Sequence, residues 1–181
     1  MKNLIRTYGP LLLFSGLIIL ADQLTKSWVR ETLDFGAQWA PWPALADFVR
    51  IVNWQNTGVA FGMFQGLGPV FAVLSAIVSV AILVYYPRVA REDWLLRLAL
   101  GLQLAGAVGN LIDRVAQGYV TDFIYIGTFP VFNIADASIT VGVGVLILAV
   151  WLQEKRAAAM VAEPGEADEE TGVSTHIEEN G

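Results

Sequence analysis

The chain has 181 residues, which predicts a single domain, and 55% of them are hydrophobic. That composition and the positive mean hydropathy indicate a membrane protein rather than a soluble one. The chain has no cysteine, and its one histidine, His176, lies in a polar tail. These counts exclude disulfides, thiolate catalysis and cysteine metal sites, and they oppose a histidine triad or a multi-histidine metal site.

The net charge of −6 comes from the carboxyl-terminal end of the chain. Residues 157–181 hold seven of the 17 acidic residues and no lysine or arginine, whereas residues 1–156 carry 11 basic and 10 acidic residues. A segment with little apolar content and many like charges is typical of disorder. We therefore predict a folded membrane domain over 1–156 and an acidic, disordered cytoplasmic tail over 157–181.

Four apolar runs predict four transmembrane helices, at about residues 9–28, 68–86, 94–112 and 133–152. The first run follows a basic start, as in a signal peptide, but Asp22 and Lys26 stand where small residues would mark a cleavage site. We therefore expect this run to be retained as a helix. Asp22 and Lys26 are four residues apart, so they share one helical face and can pair.

Two longer, mixed segments connect the first span to the second and the third span to the fourth. Within them, residues 48–55 and 119–126 alternate between polar and apolar side chains, which predicts short strands. Basic residues are concentrated near the two termini and between the second and third spans, a pattern typical of cytoplasmic segments. The predicted fold is an all-α integral membrane protein with four transmembrane helices, both termini cytoplasmic and the mixed loops outside.

Ionisable and amide side chains gather at the outer ends of these spans. An ionisable group within a membrane costs about 2.5 to 3.5 kcal/mol even on a lenient insertion scale, so it marks a candidate functional site. Asp113 has Arg114 beside it, whereas Asp122 and Asp136 have no obvious cation. Two such carboxylates can share one proton if they lie close together. The pair could then activate water and protonate a carbonyl, as in aspartic peptide hydrolysis.

Each of these features also has a structural interpretation. Asp113 and Arg114 could form an ion pair at a helix end, and Asn133 could simply cap the last helix. The stretch Asn56-Thr-Gly58 could be only a turn, and the glycines of the third span suit close helix packing. These residues come from separated segments, yet all are expected at the outer ends of the spans. This convergence favours a functional site over a set of unrelated structural roles.

Five motifs resemble those of the prolipoprotein (type II) signal peptidases of bacteria, in order and with suitable spacing over about residues 9–153. They are Asp22-Gln-x-Thr-Lys26, Asn56-x-Gly-x-Ala-Phe61, Gly106-x-x-Gly-Asn-x-x-Asp-Arg114, Thr121-Asp-Phe123 and Phe132-Asn-x-Ala-Asp136. Two features depart from the family's pattern. Val59 stands where alanine is commoner, and the acidic tail has no counterpart.

The resemblance implies an aspartic endopeptidase of the bacterial inner membrane, with Asp122 and Asp136 as the catalytic pair. It would cut diacylglyceryl prolipoproteins just before the lipidated cysteine, at the periplasmic face. The outer loops would form a small β-cradle with a helical segment. The remaining positions that match site-shaping or substrate-binding residues are Asp22, Lys26, Asn56, Gly58, Gly106, Asn110, Asp113, Arg114 and Asn133.

The same resemblance sets the expected partners. These are the precursor proteins and membrane lipids, with no metal, no organic cofactor, no nucleic acid, and a monomeric enzyme. Two rival classes remain. A small ion- or proton-coupled transporter would also contain intramembrane carboxylates, although the charges here cluster at one face and no internal repeat is visible. A non-catalytic membrane scaffold would need no paired aspartates.

Overall fold

The computed structural model describes residues 2–58, 65–89, 91 and 93–162. Its main elements are four helices, namely α1 (Lys2–Thr32), α2 (Gly68–Tyr85), α3 (Trp94–Gln117) and α4 (Ile134–Ala162). All four are long and apolar enough to cross a membrane. Leu13, Val73 and Ile147 are each more than half exposed, as expected for side chains that face lipid. The prediction of four spanning helices is confirmed.

Three of the four helices extend beyond the predicted spans, and α2 matches its span to within one residue. α1 exceeds the predicted 9–28 at both ends, and α3 continues to Gln117, so Arg114 is helical rather than part of a loop. Hydropathy detects only the apolar part of a helix, whereas the backbone hydrogen bonds continue into polar ends. α4 likewise continues to Ala162, past the predicted start of the tail at residue 157. Residues 163–181, the rest of that tail, lie outside the described residues.

α3 is the central helix, because α1, α2 and α4 all pack against it. Glycines permit its close approach to α4. A Cβ at Gly106 would overlap the backbone oxygen of Ala135 and the side chain of Ile139, and a Cβ at Gly142 would lie 3.0 Å from the side chain of Leu102. Small residues at such contacts are how helices approach closely in lipid. The packing interpretation of the third-span glycines is therefore correct at Gly106.

A three-stranded antiparallel sheet covers one end of the bundle. Its strands are β1 (Gln38–Trp39), β2 (Val49–Asn56) and β3 (Val120–Ile126), in that order across the sheet. The two predicted strands are confirmed. β1 was not predicted, because two residues show no alternation and the strand forms only by pairing with β2. A short 3-10 helix, Pro43–Leu45, lies between β1 and β2.

β2 carries one extra residue between Ile51 and Trp54. Ile51 pairs with Ile124 and Trp54 pairs with Asp122, so three steps along β2 match two along β3. Such a β-bulge changes which face the following residues occupy. Beyond it, Asn56 pairs with Val120, which places Asn56 diagonally across from Asp122 on the same face.

We expect Gly106→Ala to destabilise the fold by about 1 to 3 kcal/mol, because the added methyl group overpacks the α3–α4 contact. Thermal unfolding in detergent measures the effect. Gly144→Ala is the matched control, since a Cβ at Gly144 meets nothing within 4 Å. Equal melting temperatures for the two variants would contradict the close α3–α4 contact.

Candidate active site

The structure brings the predicted site residues together where the sheet meets the helix bundle. They come from five segments of the chain. The residues are Asp22 and Lys26 in α1, Asn56 and Gly58 at the end of β2, Gly106, Asn110, Asp113 and Arg114 in α3, Asp122 in β3, and Asn133 and Asp136 at the start of α4. Val59, Ala60 and Phe61, from the second motif, lie outside the described residues.

The ammonium group of Lys26 lies at the centre of a buried charge cluster. Its Nζ is 2.8 Å from Asp22 Oδ2 and 3.2 Å from Asp113 Oδ2, and it donates a hydrogen bond of 3.1 Å to Asn110 Oδ1. An ammonium has three donors and no acceptor, so these three oxygens satisfy it. The side chain is 0% exposed. The predicted Asp22–Lys26 pair is confirmed.

The predicted pairing of Asp113 with Arg114 is wrong. Asp113 instead pairs with Lys26 and, at 3.8 Å, with Arg30 Nη1. Consecutive side chains of a helix point in different directions, so the Arg114 side chain points away from that of Asp113. Arg114 donates long hydrogen bonds to the backbone oxygens of Gly58, at 3.4 Å, and Asn110, at 3.5 Å.

The two carboxylates of the buried cluster hold the segments that carry the candidate pair. Asp113 Oδ2 accepts a hydrogen bond of 2.9 Å from the backbone N–H of Thr121, the residue before Asp122. Asp22 Oδ1 accepts one of 2.9 Å from the N–H of Ala135, the residue before Asp136. Charge-assisted bonds of this kind are stronger than neutral ones. α1 and α3 therefore fix both β3 and the start of α4.

Amide groups, rather than cations, contact the candidate pair. Asp122 accepts hydrogen bonds from Asn133 Nδ2 at 2.7 Å and from Asn56 Nδ2 at 2.9 Å. Asp136 Oδ1 accepts one from Asn110 Nδ2 at 2.7 Å. Within the described part of the chain, neither carboxylate forms a salt bridge. An amide donor orients a carboxyl group without adding a charge beside it.

Lys26 determines which way the Asn110 amide faces. The ammonium can only donate, so the amide oxygen must point towards it. Asn133 Nδ2 donates to the same oxygen at 3.2 Å. The amide nitrogen of Asn110 is thereby directed at Asp136, and the Asn133 amide also reaches Asp122. Lys26 thus acts on both candidate carboxylates without contacting either.

Asn133 has the predicted capping role and a further one. Its Oδ1 accepts a hydrogen bond of 2.8 Å from the N–H of Asp136, and Asp136 Oδ2 accepts one of 3.3 Å from the N–H of Asn133. This reciprocal arrangement is a capping box at the start of α4. Because the same Asn133 side chain also binds Asp122, the structural and functional interpretations of this residue are both correct.

Burial changes the acidity of Asp122, which is only 1% exposed. Loss of hydration, with a smaller contribution from the nearby Asp136 carboxylate, raises the pKa of its carboxyl group to about 7, while hydrogen bonds from Asn56 and Asn133 oppose the shift. The carboxyl group of Asp122 can therefore hold or release a proton near neutral pH.

A cavity of about 570 Å³ opens beside the two carboxylates. Its polar end is formed by the candidate pair together with Asn56, Asn110 and Arg114. Elsewhere its walls are mostly apolar. They include Phe71 and Leu74 of α2, Ile139 and Val141 of α4, and Phe129 and Phe132 between β3 and α4. The cavity therefore combines an acidic, hydrogen-bonding end with space for an apolar ligand.

Several residues of this arrangement were not singled out from the sequence. Gln23 Nε2 donates to the backbone oxygen of Gly109 at 3.1 Å and to Asp22, and Arg30 donates to Thr121 Oγ1 at 2.9 Å. Gln23 and Thr121 lie within the quoted motifs, so the sequence could have indicated that they belong to the site. It could not have indicated Phe129, because aromatic residues are common at membrane boundaries.

Comparison with known proteins reveals similarity over most of the chain. A sequence model of the family described as signal peptidase (SPase) II matches residues 14–152. The lipoprotein signal peptidase of Halothermothrix orenii is 38% identical over 139 residues, which cover 77% of this chain and 93% of that protein. The corresponding protein of Dehalococcoides mccartyi is 45% identical over 137 residues, covering 72% and 82%.

The fold is also similar to solved structures. A bacterial membrane enzyme solved by the in meso method at 2.3 Å resolution superposes with a TM-score of 0.74 at 30% identity, covering 92% of this chain and 95% of that one. The two chains therefore share an overall fold over almost their whole lengths.

We expect Lys26→Met to destabilise the protein by about 3 to 5 kcal/mol, because it leaves the Asp22 and Asp113 carboxylates buried without their shared cation. Adding Asp22→Asn to this variant should restore part of the loss. Lys155→Met, at an exposed position over the Trp151 ring, is the control and should have little effect. Chemical denaturation in detergent provides the measurement, and a Lys26→Met protein as stable as the control would contradict the described cluster.

Proposed function

Because the chain belongs to the signal peptidase II family, we propose that it is an aspartic endopeptidase that processes lipoprotein precursors. Its substrates are prolipoproteins already modified with diacylglycerol on a cysteine. It cuts the peptide bond just before that cysteine and so removes the signal peptide. Asp122 and Asp136 are the catalytic pair in this proposal.

One observation supports this assignment above the others. Both carboxylates line the same cavity, and the described residues that contact them are asparagines rather than cations. A lysine or arginine in direct contact would favour the ionised form of both groups, whereas amide donors leave room for one proton in the pair. A pair that shares a proton contains a base and an acid at once, which peptide hydrolysis requires.

In the proposed reaction, the ionised carboxylate takes a proton from a water molecule, and the oxygen of that water bonds to the scissile carbonyl carbon. The protonated carboxyl group donates a hydrogen bond to the carbonyl oxygen and stabilises the charge that develops there. The carbon–nitrogen bond then breaks, and a proton from the pair passes to the amine of the cysteine. The pair titrates as one unit, so the roles of its two members are interchangeable at this level.

The shape of the cavity suits a substrate with one apolar segment. Phe71 and Leu74 of α2 line one side, and Ile139 and Val141 of α4 line the other. In the proposed complex, the signal helix lies between α2 and α4, which places the scissile bond at the polar end. Arg114 contributes a positive charge there, 5.7 Å from the centre of the Phe71 ring. The acyl chains would remain in the adjacent lipid.

Family membership supports a location in the bacterial inner membrane, and the distribution of basic residues supports an orientation with both termini cytoplasmic. Arg6, Arg88 and Arg156 belong to helix ends or connections remote from the sheet in sequence. The site would then face the periplasm, where exported precursors emerge. Membrane lipids and precursor proteins are its proposed partners, and it acts as a monomer in this proposal. Family membership favours this function over a transporter or a scaffold.

We expect Asp122→Asn and Asp136→Asn each to lower the cleavage rate by about 10⁴-fold, because either change removes a member of the acid–base pair. The measurement is cleavage of a diacylglyceryl prolipoprotein by purified protein in liposomes. Asn has nearly the shape of Asp, so the melting temperature should change little. Asp34→Asn, at an exposed carboxylate, is the control and should cleave normally. Normal rates in either site variant would exclude it from catalysis.

We expect kcat/KM of the wild-type protein to fall as the pH rises through about 7, the pKa of the Asp122 carboxyl group. Above that pH the Asp122 carboxyl group is ionised and no longer has a proton to donate. Asn56→Ala should move this fall to higher pH, because the hydrogen bond that it removes favours the ionised form of Asp122. A kcat/KM that rises into the alkaline range would contradict the shared proton.

A further inference from the structure

The cavity beside Asp122 and Asp136 is here called the catalytic cavity. A second cavity, here called the outer groove, lies on the other side of one of its walls. It has a volume of about 510 Å³ and is lined by Asp47, Phe48, Tyr125, Thr128, Phe129 and Pro130, among others. Phe129 and Pro130 also line the catalytic cavity. The two spaces are therefore adjacent, with one short piece of chain between them, and nothing in the proposed cleavage reaction uses the second.

The walls of the outer groove expose apolar surface. Phe48 and Phe129 are each 60% exposed, and they lie on either side of Gly127 and Thr128. The groove is nevertheless built on fixed backbone, because Gly127 N–H donates to the Phe48 oxygen at 2.8 Å and Phe129 N–H donates to the Ile126 oxygen at 3.0 Å. Its one acidic lining residue is Asp47.

The length of strand β3 indicates how far apart the two spaces are. Asp122 lies near its beginning, in the catalytic cavity, and Ile126 lies at its end, in the wall of the groove. Four residues of extended chain span about 13 Å at about 3.3 Å per residue. A substrate that runs outwards alongside β3 from the scissile bond would therefore reach the groove after about four residues.

We propose that the outer groove binds the first residues of the mature lipoprotein, those that follow the lipidated cysteine. This inference rests on the proposed function. In the proposed complex the signal peptide occupies the side of the catalytic cavity formed by α2 and α4. Phe129 and Pro130 line both this cavity and the groove, so the chain beyond the scissile bond can leave past them. Those residues lead directly into the groove. Its class of ligand is an extended polypeptide, held by aromatic contacts with Phe48 and Phe129.

The groove makes cleavage depend on the length of the mature segment. The test uses lipidated peptides that share one signal sequence and carry from one to eight residues from the cysteine onwards. For the wild-type protein, KM should fall as the segment lengthens to about five residues and then stay constant. The total decrease should be about tenfold, which corresponds to about 1.4 kcal/mol of binding. Because the bond-breaking groups are unchanged, kcat should vary little.

Thr128→Trp fills the groove from a residue that does not line the catalytic cavity. This variant should cleave the shortest peptide as the wild type does, and its KM should no longer fall with length. Phe48→Ala, which removes one wall instead, should weaken the length dependence as well. Ala44→Trp is the control, because Ala44 is exposed but lies outside the groove. It should behave as the wild type.

Three results would overturn the proposal. The first is a wild-type KM that is the same for every length. The second is a Thr128→Trp variant whose KM rises equally for all peptides, which would indicate that the groove binds lipid or the signal segment. The third is no change in either groove variant. Failure of the wild type to cleave any of the peptides would instead contradict the proposed function itself.

Discussion

The buried ammonium of Lys26 is the contact on which the rest of the site depends. It forms salt bridges with both Asp22 and Asp113 and orients Asn110, all without exposure to solvent. Two buried carboxylates that are both ionised would be strongly unfavourable without such a cation. The cation therefore allows two acidic residues to be placed among apolar helices, where their oxygens can anchor other parts of the chain.

This arrangement separates two kinds of aspartate by their surroundings. Asp22 and Asp113 have a cation and bind backbone N–H groups of neighbouring segments, so their role is structural. Asp122 and Asp136 contact amides and line a cavity. The same side chain thus serves as an anchor or as a candidate acid and base. Its hydrogen-bond partners, rather than its own chemistry, decide between the two.

The sequence predicted the four helices, the two longer strands and the residues that converge, because hydropathy, alternation and motif spacing each report on a local property. It could not predict contacts that depend on helix rotation. Asp113 and Arg114 are neighbours in the chain, yet the cation of Asp113 is Lys26, from another helix. Similarly, Phe129 contributes to the cavity only because β3 and α4 position the segment between them. Such contacts require the packed structure.

The β-bulge in β2 sets a constraint on how this protein can vary in length. The extra residue lies between Ile51 and Trp54, so its loss would restore a regular strand and leave Asn56 opposite Val120. A single deletion between Trp54 and Asn56 cannot be absorbed in this way, because side chains alternate between the two faces of a strand. Asn56 would then point away from Asp122. The strand would therefore tolerate the loss of its bulge, whereas one deletion beyond the bulge would disconnect the sheet from the site.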